Sequence, residues 1–420
     1  MIRILHLSYC NGITGAGIAA GRIHNCISEY DKSSINSFFS SNNDRIQNIK
    51  TLRKKKLLPK LYIFFKKYFE RIIIKIIKYE DNIFHSVSVF PSLKHHEINK
   101  LDIDIVHIHW VQHETISIEE IGKIKFPIVW TLHDCWPFSS TEHYQKDKFD
   151  ERYMNGYKIK NRFNFSEYID KICFLRKKFS WKNNIYLIAP SKWIANCALR
   201  SSLMKSKKIE IIPNPIDTEI FKPINKNNAR KSLKINKNKK VILFGSIDGG
   251  IDPRKGADLL KNVLDILKIT KTDFQLVIFG KKSKNQNIFN NNFFEIIQMG
   301  KINSNYKMAT LYSAADIFVI PSRIESFGQT ASEAQSCGTP VIGFDIGGLK
   351  DIVVNKESGL LIEPYNCEKM AKGIENILSD GNKISKFSEA SRANALKNFN
   401  YKKVAKSHID FYKDILNYGK

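Results

Sequence analysis

The sequence predicts an α/β protein made of two doubly wound, parallel-sheet domains, and three observations carry that reading. Short continuous apolar runs alternate with stretches of helical periodicity, as expected of strands buried on both faces. The alternation halts at a stiff, polar stretch near mid-chain and then restarts. A length of 420 residues also exceeds what one ordinary core accommodates.

In the first half, residues 3–8 read as a strand, 17–29 as a helix, 103–109, 128–133 and 185–189 as strands, and 192–204 as a helix. Residues 207–217 (KKIEIIPNPID) then carry two prolines around Asn214 that stiffen a crossing, and a lysine- and asparagine-rich stretch follows over 225–240. The second half gives strands at 241–245, 274–280, 294–298, 317–320 and 341–344, with helices at 256–267, 303–314 and 330–336. The domains are expected to span 1–212 and 213–400. A final helix over 401–420 is expected to pack back on the first domain. Tandem domains of this kind hold their ligands at the carboxyl ends of the strands, so the two crevices should face each other across a cleft.

Composition narrows the function. Hydrophobic residues make up 43% of the chain, which fits a soluble globular protein. No apolar run reaches the roughly 18 residues of a membrane span, and residues 1–9 read as a first strand, not a signal peptide. Seven cysteines without CxxC spacing argue against a disulfide framework or a zinc site and fit a reducing cytoplasm. The formal charge of +26 favours an acidic ligand or a membrane surface. No nucleic-acid motif accompanies it, and nucleic-acid binding is not expected.

Residues 54–78 (KKKLLPKLYIFFKKYFERIIIKIIK) interrupt the first domain with lysines set among Leu, Ile, Phe and Tyr. Such a segment suits an anionic bilayer surface, with the protein peripheral on the inner face of the cell membrane. Helices packing an apolar face onto the domain suit it equally.

Candidate site residues stand at the strand ends. The loop and helix start NGITGAGIAA place Gly15 and Gly17 where small residues let a phosphate approach the backbone. VWTLHD ends a strand in His133, which can hydrogen-bond a hydroxyl or move a proton, while Asp134 orients the loop. DPRKGAD sets Arg254 beside Lys255 at a helix start, a crowding that a diphosphate would relieve. ESFGQTASEA sets Glu325 in a loop and Glu333 on the following helix. The N–H groups of Phe327, Gly328, Gln329 and Thr330 lie between them at a helix N-terminus suited to a phosphate. A nucleotide sugar satisfies these groups together: the cations and N–H groups take the diphosphate, the carboxylates the hydroxyls.

These motifs, with the IPNPID crossing and ESFGQTASEAQSCGTPVI, make the chain resemble the retaining GT-B glycosyltransferases of family 4, two Rossmann-like domains around a cleft. WTLHDCWPFSSTEHY more narrowly resembles enzymes of bacterial capsule, O-antigen or colanic-acid-type polysaccharide biosynthesis. The resemblance implies transfer of a sugar from a nucleotide-diphosphate donor to a saccharide or lipid-linked saccharide, with retention and with no metal required. It implies that Glu333 binds the ribose, Glu325 the donor sugar, and residues 327–330 the diphosphate and sugar. Arg254 and Lys255 would neutralise the leaving diphosphate. His133 would lie near the reacting centre, and Gly17 near the diphosphate. Residues 299–302, with Gly300 and Ile302, would hold the base through backbone groups.

Two departures from the family pattern matter. Ser246 follows Gly245 where many relatives have an arginine, which leaves more of the charge to Arg254. Residues 139–144 (SSTEHY) replace the cysteine cluster that some relatives carry after HDxWPF, so no metal is carried over. Glu142 and His143 are expected to pack, or to shape an acceptor site. The competing reading is a non-catalytic GT-B-fold binding or partner protein.

Overall fold

The computed structural model describes residues 1–41, 83–145, 151–182, 184–247, 252–269, 272–281 and 293–418, with isolated positions Tyr68, Ile72, Ile74, Ile77, Tyr79 and Phe289. Apart from four of those positions, the 54–78 segment lies outside the described residues. The chain divides into two units, Met1–Ile212 with Ala405–Lys420, and Pro213–Val404. The second division falls inside the last helix, Tyr401–Tyr418, four residues beyond the boundary the sequence suggests.

The first unit holds six parallel strands in the order β2-β1-β3-β4-β5-β6. They are β1 (Ile2–Leu7), β2 (Ile35–Ser40), β3 (Ile105–Ile108), β4 (Ile128–Thr131), β5 (Ile185–Ala189) and β6 (Ile209–Ile211). Alternate residues point to opposite faces. Leu5, Leu7, Val106 and Ile108 enter the main core of this unit. His6 and His107 alternate with them and are nonetheless fully buried. On that side Tyr412 of the last helix meets His107 Nδ1 through its hydroxyl at 2.7 Å, and Asp414 pairs with Lys208.

The second unit repeats the plan with β7 (Val241–Gly245), β8 (Gln275–Phe279), β9 (Glu295–Gly300), β10 (Ile317–Ile320), β11 (Val341–Phe344) and β12 (Gly359–Ile362). Its order is β12-β11-β10-β7-β8-β9, again all parallel. Here both faces are apolar. Leu243, Val277, Phe318 and Val341 enter one core, and Ile242, Leu276, Val319 and Ile342 the other. Each such side chain contributes about 1.5–3 kcal/mol on burial, which is why these strands read as unbroken apolar runs.

Several expectations need correction. The strand predicted over 128–133 ends at Thr131, and the helix predicted over 192–204 ends at Arg200, where Ser201 turns extended. The polar stretch 225–240 contains the helix Lys226–Leu233, capped by Asn225. One residue anchors it: buried Arg230 reaches Asp316 and the Ala314 carbonyl at 2.7 and 2.9 Å. Strands β2, β6 and β12 go beyond what the sequence predicts, as do the helices Phe165–Ser180, Cys367–Leu378 and Gly381–Asn398.

Candidate active site

In the second unit the strand order reverses between β7 and β10, the switch point where doubly wound sheets open a crevice for ligands. The Pro253–Lys255 turn follows β7, and the loop carrying Glu325 follows β10. Two glycines bring the loops together. Gly256 has φ +67, and a Cβ there would lie 1.9 Å from the Pro321 carbonyl oxygen. Gly347 has φ +47, and a Cβ there would lie 2.3 Å from the Glu325 carbonyl oxygen. Arg323 fastens the seam: its N–H donates to the Arg254 carbonyl at 2.7 Å, and its guanidinium pairs with Asp258.

The outcome is a Lys255 Nζ to Glu325 Oε1 ion pair of 2.6 Å. Ser322 Oγ donates to the same carboxylate oxygen at 2.8 Å. Arg254 has its own carboxylate, with Asp252 Oδ1 accepting from the Arg254 N–H at 3.0 Å and from Nε at 2.9 Å. Burial pulls the Asp252 carboxyl up, and the Arg254 hydrogen bonds override it and hold the group below the usual carboxylate range. The crowding of Arg254 against Lys255 is therefore relieved within the protein, each cation facing a different carboxylate.

Gly328, at φ +100, caps the helix Gln329–Ser336 and, as a glycine, brings no side chain to the cap. Phe327 is buried and meets Phe399 edge-on at 5.8 Å, which fixes the loop from below. Gln329 and Thr330 are half-exposed. One turn on, buried Glu333 accepts from Tyr312 Oη at 2.9 Å. At the opposite edge, Gly300 ends β9 at φ +66, where a Cβ would meet nothing within 4 Å, and Ile302 packs on the core beneath.

In the first unit the helix Gly15–Tyr30 starts at Gly15, with Thr14 Oγ1 accepting from the Gly17 N–H at 3.1 Å. The two glycines differ. A Cβ at Gly17 would lie 2.7 Å from the Cys10 carbonyl oxygen, whereas at Gly15 it would meet nothing within 4 Å. Close packing constrains Gly17, and Gly15 is the sterically open position.

His133 lies just past β4 and is half-buried. Its Nε2 meets His109 Nδ1 at 3.1 Å, and His109 Nε2 meets His6 Nδ1 at 3.0 Å. Desolvation lowers the His133 pKa to about 4, against the pull of Asp134. Burial, helped by the neighbouring rings, holds His6, His107 and His109 well below the ordinary histidine value. Nitrogens of His6, His107 and His109 lie within 4.8 Å of one another, a grouping able to hold a metal ion. Both His107 nitrogens are already engaged, by Thr131 and Tyr412 at 2.7 Å each.

Asp134 does more than orient its loop. Oδ1 accepts from the Trp136 N–H at 3.1 Å, while Oδ2 meets His143 Nδ1 at 2.6 Å and accepts from Trp110 Nε1 at 2.7 Å. Glu142 and His143 are buried. Tyr157 Oη donates to Glu142, whose carboxyl is pushed up by burial and by the charge of Asp170.

Sequence reasoning missed Asp252, Ser322, Tyr312 and the Gly347-Gly348 pair. Only the glycine pair, between β11 and the next helix, left a signal.

A family model described as "Glycosyl transferases group 1" matches residues 225–394, and one described as "Glycosyltransferase Family 4" matches residues 68–220. A D-inositol 3-phosphate glycosyltransferase of Segniliparus rotundus is 28% identical over 221 residues, 51% of this chain and 48% of that protein. An "Uncharacterized 41.2 kDa protein in cps region" of Klebsiella pneumoniae is 25% identical over 74% of this chain and 78% of its own. The chain spans about half the length of the inositol-phosphate enzymes it matches. Among solved structures, a sucrose-phosphate synthase of Thermosynechococcus elongatus superposes with TM-score 0.67 at 18% identity, covering 99% of this chain and 100% of that one. Anabaena Alr3699/HepE in complex with UDP and glucose gives 0.61 at 15%, covering 99% and 100%. The fold is GT-B; the group 1 match lies within the second unit, and most of the family 4 match lies within the first.

Proposed function

We propose that the protein transfers a sugar from a nucleotide-diphosphate sugar to a hydroxyl of a saccharide, with retention of configuration, in the assembly of a cell-surface polysaccharide. The observation that carries this reading is the Lys255–Glu325 pair at the switch point, beside the first turn of the Gln329–Ser336 helix. The likeness to group 1 transferases, and to a neighbour solved with UDP and glucose, supports it.

In the reaction, the bond from the anomeric carbon to the diphosphate oxygen breaks and a bond to the acceptor oxygen forms. For front-face transfer, the acceptor's proton passes to the departing phosphate. The catalytic task is to stabilise charge on the leaving group. Lys255, Arg254 and the N–H groups of residues 327–330 are assigned to it. Glu325 is assigned to the donor sugar, Glu333 to the ribose, and Gly300 and Ile302 to the base. His133 is assigned to a sugar hydroxyl, and Gly15 and Gly17 to the diphosphate. No step is assigned to a metal.

A lipid-linked saccharide acceptor accords with the basic 54–78 segment and with the Klebsiella relative's cps region. Attachment to the inner face of the membrane would follow. The test is a screen of UDP-, GDP- and ADP-sugars for hydrolysis or transfer, with calorimetric titration of UDP and GDP. Binding of no nucleotide and turnover of no donor would sink the proposal and favour a non-catalytic binding protein.

A further inference from the structure

The helix Phe165–Ser180 turns Cys173, Phe174 and Lys177 inward. Its outward side is unusual. Phe165, Ile172 and Phe179 are 56%, 51% and 65% exposed, and Phe163, just ahead of the helix, is 97% exposed. The three helical residues are seven apart, about two turns, so they form one stripe roughly 21 Å long. Single exposed apolar residues are ordinary, but a row of four large ones is a patch that needs a partner.

Charge identifies the partner. Lys158, Lys160, Arg162, Lys178 and Lys182 are exposed and Lys171 is half-exposed around this stripe. The acids between residues 158 and 182 are Glu167 and Asp170. Asp170 is buried, and the Glu167 carboxylate accepts from the backbone N–H groups of Lys160 and Asn161. A second copy of the chain would set cations against cations. The chain also returns from the basic 54–78 segment beside this helix: Ile77 packs with Cys173, and Tyr79 Oη donates to Asp170 at 2.9 Å.

We propose that this helix face, with Phe163, docks on an anionic lipid bilayer. The aromatic and aliphatic stripe would enter the headgroup–acyl boundary while the surrounding lysines and arginine meet anionic headgroups. The surface is separate from the donor site, and its test does not depend on turnover.

The test is flotation of the full chain with vesicles of phosphatidylcholine alone or with about one third phosphatidylglycerol, with F165S/I172S/F179S and K171E/K178E as variants. The expected result is binding to the anionic vesicles only, weakened about tenfold or more in each variant, with unchanged circular dichroism. A Phe163→Trp reporter should shift to the blue and be quenched by brominated lipid, a readout that survives if the triple variant misfolds. Three results would overturn the proposal. One is parental binding in both variants with an unquenched reporter, and another is no binding of the parent chain to anionic vesicles. The third is a dimer in sedimentation that F165S/I172S/F179S dissolves, which would make the stripe a contact between copies.

Discussion

Lys255 Nζ and Glu325 Oε1 stand 2.6 Å apart although 70 residues separate them in sequence. The pair ties the loop after β7 to the loop after β10, and it makes the two residues each other's counter-charge before any ligand arrives. An incoming diphosphate would compete with Glu325 for the lysine. The carboxylate so released, still held by Ser322, would turn to sugar hydroxyls.

Glu325→Gln and Lys255→Ala should each lower transfer by about 10²–10³-fold. The fold should survive both, because Ser322 still donates to position 325 and the loop backbone is held separately by Gly348, whose N–H donates to the Glu325 carbonyl at 2.8 Å. Calorimetry should separate the two: Lys255→Ala weakens UDP or GDP binding, and Glu325→Gln leaves it largely intact. Undiminished turnover in both variants would overturn the assignment.

Glycine substitutions should sort by steric cost. Gly256→Ala and Gly347→Ala combine positive φ with contacts of 1.9 and 2.3 Å to carbonyl oxygens, so they should pull the two loops apart. A loss of about 1–3 kcal/mol in urea titration is expected, together with lost turnover. Gly17→Ala should also destabilise, whereas Gly15→Ala should leave the unfolding midpoint unchanged. If Gly15 admits a phosphate, that variant weakens nucleotide-sugar binding alone.

Glu333→Gln should weaken nucleotide affinity about tenfold, the loss of one charge-assisted hydrogen bond to a ribose hydroxyl. Tyr312→Phe removes the donor to that buried carboxylate. It should cost about 1–3 kcal/mol of stability and change donor affinity less than Glu333→Gln does.

The desolvated histidines make stability depend on pH. His133 and His24 have pKa values lowered from 6.5 to about 4, and those of His6, His107 and His109 are also depressed. As pH falls through 6.5 the unfolded chain takes protons that the folded chain refuses. This contribution is complete above 6.5 and is lost as pH falls toward 4. Glu142 and Asp170, whose carboxyls are raised, work in the opposite direction. Urea midpoints should therefore drop between about pH 7 and about pH 5, and His133→Asn should flatten the drop. An unaltered slope in that variant would show that His133 titrates normally in the folded state.

The central strands were legible in the sequence because burial on both faces leaves an unbroken apolar run, as in Ile317–Ile320. Edge position hid β2, β6 and β12: each lies at the end of a sheet and is partly exposed, so its residues need not be apolar throughout. The site motifs were legible because glycines and paired charges at strand ends are unusual residue choices. Their partners were not. Asp252, Ser322 and Tyr312 are ordinary residue types that acquire meaning only when the fold brings them to Arg254, Glu325 and Glu333. His107 was hidden differently, since a histidine inside a strand carries no sign that a tyrosine 305 residues later will meet it.

The division inside the last helix bears on how the protein can be cut. Residues 213–404 are carried as an insert within the unit formed by 1–212 and 405–420. A fragment ending at Ile212 loses Tyr412 and leaves the Nδ1 of a buried imidazole without its partner, so it should express poorly. Joining residue 212 to residue 405 through a short linker restores that partner in a single polypeptide, and the excised piece is already contiguous. The first unit is thus obtained by deletion and splicing, not by truncation, while the second is one continuous stretch.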